Sequence, residues 1–264
     1  MKLLLQESLQ ERGVACVELG FQGVDQPRNP ERGFTLVELA IVMFIVALLL
    51  GGMLLPLSAQ QDIRARQGTE RTLDEIRDAL IGYAIINGYL PCPAPVNLST
   101  NGAEAARDAN GVCPSRVGAL PWATLGLGRS DSWDHLYRYS VTPAFSNSGT
   151  GTGAKFSTTS AGDITIRTRD SANALQTLAA SVPAAVVSHG ASGAWAYSTF
   201  GIQVPDSANI NTDEDTNGND AAGISFVSRT ASLPGSLDPG QFDDMVVWLS
   251  TNTLVNRLVA AGKL

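Results

Sequence analysis

Residues 34–57 read FTLVELAIVMFIVALLLGGMLLPL, and Arg32 and Gly33 precede them. This run of 24 residues carries one charged side chain, that of Glu38. A helix of this length would reach about 36 Å, which exceeds the roughly 30 Å of a bilayer's hydrocarbon core. The run therefore predicts a transmembrane helix over residues 34–57. An acid one turn inside such a helix is costly and tends to persist where a partner neutralises it.

The sequence GFTLVE at residues 33–38, followed by the apolar run, resembles the N-terminal signature of type IV pilins and type II secretion pseudopilins. In that family a prepilin peptidase cleaves after the glycine and N-methylates the new first residue. The glutamate at the fifth mature position pairs with a neighbouring subunit's terminal amine. The resemblance implies cleavage between Gly33 and Phe34, methylation of Phe34 and an assembly role for Glu38. An ordinary single-span anchor with an incidental acid is the alternative.

The chain is expected to have four parts, of which the first is a leader over residues 1–33 that the peptidase removes. Residues 34–57 are the transmembrane and assembly helix, and residues 58–90 continue it as an amphipathic helix. Leu73, Ile76 and Leu80 follow the spacing of a helix packed on one face. Residues 91–264 form an extracytoplasmic globular domain rich in strands.

The fold class predicted is α+β, with a long N-terminal helical spine packed against an antiparallel sheet. The first half of the spine is expected to lie in the membrane. Short alternating or apolar runs predict strands. These runs cover residues 135–141, 163–168, 183–188, 223–228 and 245–249. Two short helices are predicted at residues 172–180 and 253–261.

Two cysteines follow the predicted cleavage point, Cys92 and Cys113, and both lie in proline-bounded loops. An even pair in an exported domain favours a disulfide, which would contribute roughly 3 kcal/mol to stability. Two free thiols are the alternative. A zinc site is a weaker interpretation, because only His135 and His189 could complete it and neither has ligand spacing.

Residues 211–220 read NTDEDTNGND and resemble a calcium-binding loop of the EF type, with oxygen-bearing side chains at alternate positions before Gly218. The twelfth position counted from Asp213 is Ile224 rather than a bidentate glutamate. Some pseudopilins carry a structural calcium in a late loop of the globular domain, and a solvated acidic turn is the alternative. The residues predicted to bind Ca²⁺ are Asp213, Asp215, Asn217 and Asp220.

Two classes of function are disfavoured by the sequence. The formal net charge of −7 argues against general nucleic-acid binding, which needs a basic surface. Ser188, His189 and Ser192, with Asp243 or Asp244, are reminiscent of a serine hydrolase, but the chain has no Gly-x-Ser-x-Gly motif. We expect His189 to lie in a turn, hydrogen-bonded to backbone, and the two aspartates to cap a turn or helix. The sequence therefore predicts no enzyme activity.

The resemblance implies a structural subunit, a minor pilin or pseudopilin, of a type IV pilus or a type II secretion filament. Its partners would be other pilin or pseudopilin subunits, the prepilin peptidase and an inner-membrane assembly platform. The chain is expected to cross the bacterial inner membrane once, with its C-terminal domain in the periplasm, before joining a periplasmic pseudopilus or a cell-surface pilus. The alternative is a membrane-anchored monomeric binding protein that does not assemble.

Overall fold

The structure, a computed structural model, describes residues 33–97, 101–149, 155–206, 211–232 and 240–264. For residues 52–59 it describes the backbone alone. The predicted leader therefore lies outside the described residues, apart from Gly33. Contacts divide the chain after Met53 into two compact units, which we describe separately.

The helices are α1 (Leu36–Asn87), α2 (Trp122–Leu125), α3 (Pro143–Ser146), α4 (Thr212–Asn219) and α5 (Thr251–Ala260). The strands are β1 (Val117–Ala119), β2 (His135–Leu136), β3 (Arg138–Val141), β4 (Ile164–Arg169), β5 (Leu175–Val182), β6 (Ala184–Ser188), β7 (Tyr197–Ser198), β8 (Ser225–Val227) and β9 (Met245–Trp248). These elements confirm the predicted α+β class.

Helix α1 continues without a break through Pro56 and ends at Asn87, three residues before the predicted bound at residue 90. Gly88 adopts a left-handed conformation with φ 78°, and its backbone N–H donates to the carbonyl of Ala84 at 2.7 Å. Glycine pays no Cβ penalty in this conformation, and Pro91 follows, so the helix cannot resume.

In the part of the chain that the structure describes, no helix is long and apolar enough to cross a membrane. The predicted span over residues 34–57 is therefore not confirmed, and its last side chains, from residue 52, lie outside the described ones.

Three sheets make up the strand-rich part of the second unit. Strands β1, β3, β6 and β9 form an antiparallel sheet in that order. Strands β5, β4 and β8 form a second sheet, in which β4 pairs antiparallel with β5 and parallel with β8. Strands β2 and β7 form a two-stranded antiparallel ribbon. The predicted antiparallel architecture is thus correct except at the β4–β8 pair.

The central strand β6 explains how these layers pack. Ala184 and Val186 join a core cluster that includes the buried face of α1, whereas Ala185 and Val187 join a second cluster with β4 and β8. Successive residues of a strand point to opposite faces, so a strand covered on both faces is apolar throughout. The α1 residues in the first cluster are Leu73, Ile76, Leu80 and Ala84.

The predicted helix over residues 172–180 is wrong, because most of this segment forms strand β5. Asp170 starts a tight turn, in which its Oδ1 accepts from the backbone N–H groups of Ala172 and Ala174, both at 2.9 Å. Asn173 takes a left-handed conformation with φ 63° in that turn. Pairing of β5 with β4 then overrides the helical preference of its alanine and leucine residues.

Candidate functional site

The predicted processing and assembly residues lie at the start of α1. Gly33 and Phe34 precede the helix and are exposed. The side-chain oxygen of Thr35 accepts from the backbone N–H of Glu38 at 3.2 Å, which satisfies one of the free donors of the first turn. Glu38 is exposed, and an acid in this turn also complements the helix dipole. The helix start is therefore fixed locally, by its own residues.

The apolar side chains that follow are exposed around the whole helix. Leu36 is 84% exposed and Phe44 is 67% exposed, and their apolar neighbours are exposed as well. A helix that is apolar on every side is normally buried in protein or lipid. The exposed large apolar residues of this stretch are Leu36, Val37, Leu39, Ile41, Val42, Met43, Phe44, Ile45, Val46, Leu48, Leu49 and Leu50.

Comparison with known families explains why an exposed acid and an exposed apolar helix occur together. Residues 28–54 match the family model of the prokaryotic N-terminal methylation motif. The chain carries the type IV pilin and pseudopilin signature. No curated protein and no solved structure matches the chain significantly.

The pilin-type signature implies processing by a prepilin peptidase, association with a membrane and assembly with other pilin subunits into a filament. Gly33, Phe34 and Glu38 all fall within the matched residues. Their individual roles in cleavage, methylation and assembly stay predictions.

The predicted disulfide between Cys92 and Cys113 is present and closes a separation of 21 residues. A clasp made of Glu104 and Arg107 fixes the segment inside this loop. Glu104 accepts from the backbone N–H of Cys92 at 3.0 Å and from Arg107 at 2.8 Å. The hydroxyl of Tyr83, on α1, donates to Glu104 at 2.7 Å. Burial, and then this bond to Glu104, raise the pKa of Tyr83 far above its usual range, so the hydroxyl stays a donor.

The segment predicted to be a calcium loop is mostly helix α4 instead. The side-chain oxygen of Asn211 accepts from the backbone N–H groups of Asp213 and Glu214, which caps the helix. Asp213 is 1% exposed and lies between two arginines. Arg169 donates to its Oδ1 and Oδ2 at 2.7 and 2.8 Å, and Arg229 donates to Oδ2 at 2.7 Å. Asp213 is therefore neutralised by protein.

The other three predicted calcium ligands are also engaged and point to different partners. Asp215 accepts from the indole N–H of Trp195 at 2.8 Å. Asn217 exchanges hydrogen bonds with the backbone of Val227, at 2.7 and 2.9 Å. Asp220 ends α4 and accepts from backbone N–H groups of the turn that follows. The structure thus does not bring the four predicted ligands together in a loop.

A different set of carboxylates does come together, and we call Glu214, Asp243 and Asp244 the acid cluster. One oxygen of each lies within 4.8 Å of the others. Glu214 and Asp244 are each only 4% exposed. Glu214 was not among the predicted metal ligands, because contact between α4 and the segment before β9 depends on tertiary packing. Its position three residues after the capping Asn211 was the local sign that its backbone belongs to a helix.

Burial controls the protonation of this acid cluster. Burial, together with the nearby charges of Asp244 and Asp243, raises the pKa of Glu214 to about 8. Burial also raises the pKa of Asp244, against the opposing effect of His189. Three carboxylates this close repel one another when all are ionised. With no cation bound, the cluster is therefore expected to hold a proton at neutral pH.

The residues reminiscent of a hydrolase have separate partners. The hydroxyl of Ser188 donates to Asp131 at 2.6 Å, and that of Ser192 donates to Asp243 at 2.8 Å. His189 was expected to bond to backbone, but its Nδ1 faces Oδ1 of Asp244 at 3.5 Å. The expectation failed because Asp244, distant in sequence, is brought beside the end of β6 by the pairing of β6 with β9.

Proposed function

We propose that this chain is a filament subunit, a minor pilin or pseudopilin, that is cleaved before Phe34 and assembles through the first part of α1. The observation that carries the proposal is the exposure of apolar side chains on all sides of residues 36–50, which lie within the N-terminal methylation motif. Fully burying each such side chain is worth about 1.5–3 kcal/mol. This segment therefore has a strong drive to leave water for lipid or for a bundle of similar helices.

The apolar residues by themselves do not favour a filament over a membrane, because lipid tails are as apolar as leucine. Glu38 supplies the discrimination in this proposal. Its carboxylate is costly in an apolar environment unless a cation pairs with it, and the new amino terminus of Phe34 in a neighbouring subunit is that cation. Registers that leave the charge unpaired are rejected, so the pair sets the axial position of each subunit.

Before assembly, residues 34–57 are proposed to hold the chain in the bacterial inner membrane. Residues 91–264, which we call the outer domain, would then lie in the periplasm. An assembly platform there would move the subunit into a pilus or a secretion filament. The large outer domain favours a minor subunit, since such a domain is costly to repeat throughout a filament. We expect no catalytic activity from it.

Processing is tested with Gly33→Leu, co-expressed with a prepilin peptidase. A Cβ at Gly33 would meet nothing within 4 Å, so the substitution leaves the fold intact. The wild-type chain should begin at Phe34 by N-terminal sequencing and intact mass, and the variant should keep its leader. A wild-type chain that still begins upstream of Phe34 would refute processing and leave a plain tethered domain.

Assembly is tested with Glu38→Gln, which removes the charge and keeps the backbone N–H that Thr35 caps. We expect at least a tenfold loss from sheared filament fractions, with normal cleavage. Glu70→Gln is the matched control, because Glu70 is exposed on the same helix but far from the apolar run. Equal recovery of Glu38→Gln and wild type would contradict the pairing mechanism. A cleaved wild-type chain that never enters filaments would favour the monomeric binding protein.

A further inference from the structure

The acid cluster joins parts of the outer domain that are distant in sequence. Glu214 belongs to the first turn of α4, and Asp243 and Asp244 immediately precede β9. Each contributes an oxygen within 4.8 Å of the other two. Opposite ligands of a Ca²⁺ ion lie about 4.6–5.2 Å apart, since each bond is about 2.3–2.6 Å long. The observed separations are therefore compatible with three ligands of a single ion.

The orientation of these carboxylates is fixed by neighbouring groups. Glu214 accepts from the backbone N–H of Asp243 at 3.0 Å. Asp243 accepts from the backbone N–H and the hydroxyl of Ser192, at 2.7 and 2.8 Å. The Oδ2 atom of Asp244 accepts from the amide of Asn217 at 2.8 Å. Outer hydrogen bonds of this kind are what hold metal ligands in place in protein sites.

Two buried polar atoms in this region have no hydrogen-bond partner among the described residues, Oδ1 of Asp244 and Nδ1 of His189. His189 is 1% exposed, and the two atoms lie 3.5 Å apart. This separation is long for a hydrogen bond. Buried polar groups are normally paired, so the Oδ1 atom of Asp244, which has no hydrogen bond, is available to bind a cation at the acid cluster.

The arginines near α4 are already committed elsewhere. Arg169 and Arg229 pair with Asp213, and Arg138 donates to the backbone carbonyls of Gly218 and Asp220. Within the residues that the structure describes, no lysine or arginine forms an ion pair with the acid cluster, and His189 is the basic side chain that faces it. Up to three negative charges therefore face one imidazole.

We propose that Glu214, Asp243 and Asp244 bind one divalent cation, with His189 next to the ligand Asp244. Three carboxylates suit Ca²⁺, Mg²⁺ and Mn²⁺. The ion would tie α4 to the start of β9, and so stabilise the outer domain. This site differs from the predicted calcium loop, of which only Asn217 takes part, as a support for Asp244.

The site is tested on the whole purified protein after treatment with a chelator and its removal. Titration with MnCl₂, followed by the electron paramagnetic resonance of free Mn²⁺, should give one bound ion per chain. The melting temperature should rise by several degrees in excess Mn²⁺. CaCl₂ in a parallel titration should bind to the same site.

Glu214→Gln should weaken Mn²⁺ binding at least tenfold while the protein still folds, because the change removes repulsion within the cluster. Asp215→Asn is the matched control, because Asp215 lies next to Glu214 on α4 but binds Trp195, and it should bind as wild type does. Absence of any bound ion in the wild type, or equal binding by Glu214→Gln, would overturn the proposal. Loss of binding in Asp215→Asn alone would do the same, in favour of the predicted loop.

Discussion

Removal of the disulfide by Cys92→Ala with Cys113→Ala gives a prediction with a calculable magnitude. The bond closes a separation of 21 residues, for which the chain-entropy account gives about 3.3 kcal/mol at 25 °C. Glu104 still accepts from the backbone N–H of residue 92 in the variant, and Arg107 still donates to the carbonyl of Leu90. The clasp thus keeps the folded loop in place, and the loss arises in the unfolded chain.

Urea denaturation followed by circular dichroism measures this loss. With a slope of about 2–3 kcal/mol/M, the midpoint should fall by about 1.1–1.7 M while the far-ultraviolet spectrum of the folded protein stays the same. The control is dithiothreitol, which should lower the wild-type midpoint to that of the variant and leave the variant unaffected. A midpoint within about 0.3 M of wild type, or a wild type insensitive to dithiothreitol, would refute the reasoning.

Three further predictions concern the outer domain. Asp213→Ala leaves two arginines without their buried acid, so it should lower the free energy of unfolding, measured in urea, by about 3–5 kcal/mol whether or not calcium is present. A loss of stability that depends on calcium would instead favour the predicted calcium loop. Gly102→Ala places a Cβ 2.0 Å from the ring of Trp122 at φ +74°, so it should cost at least about 2 kcal/mol by thermal melting, and an unchanged melting temperature would show that the ring can move away. Burial acts to raise the pKa of Asp163, but hydrogen bonds, the first from Arg116, outweigh it and lower the pKa. The ionised acid therefore stabilises the fold above about pH 4, and this contribution is lost as the pH falls through the lowered pKa. In Asp163→Asn the free energy of unfolding should fall less steeply below about pH 4. The same pH dependence in the variant and the wild type would contradict a stabilising role for ionised Asp163.

Much of the fold was predictable because its signals are local. The end of α1 follows from Gly88 and Pro91, a strand overlaps each of the five predicted runs, and α5 lies close to its predicted position. The disulfide was predictable because an even pair of cysteines, in proline-bounded loops, follows the predicted cleavage point. Each of these features depends on residues near one another in sequence or on a single covalent rule.

The failures lie where tertiary contacts decide the outcome. Strand β5 contains alanine and leucine, which favour helix, but pairing with β4 makes it a strand. The acidic stretch that resembles a calcium loop is helical because Asn211 caps it and the acids of its first turn suit the helix dipole. The partners of its acids, such as Arg169 for Asp213, come from strands that no local pattern connects to it. The acid cluster was missed for the same reason.

The disulfide also determines how tension would travel through the outer domain. Cys92 follows the last residue of α1, Asn87, by five positions, and Cys113 precedes β1 by four. A pull applied along the helix therefore reaches the edge of the four-stranded sheet through a covalent shortcut. The segment between the two cysteines is bypassed and bears no load, so stretching the subunit would not unravel it before the bond itself is reduced.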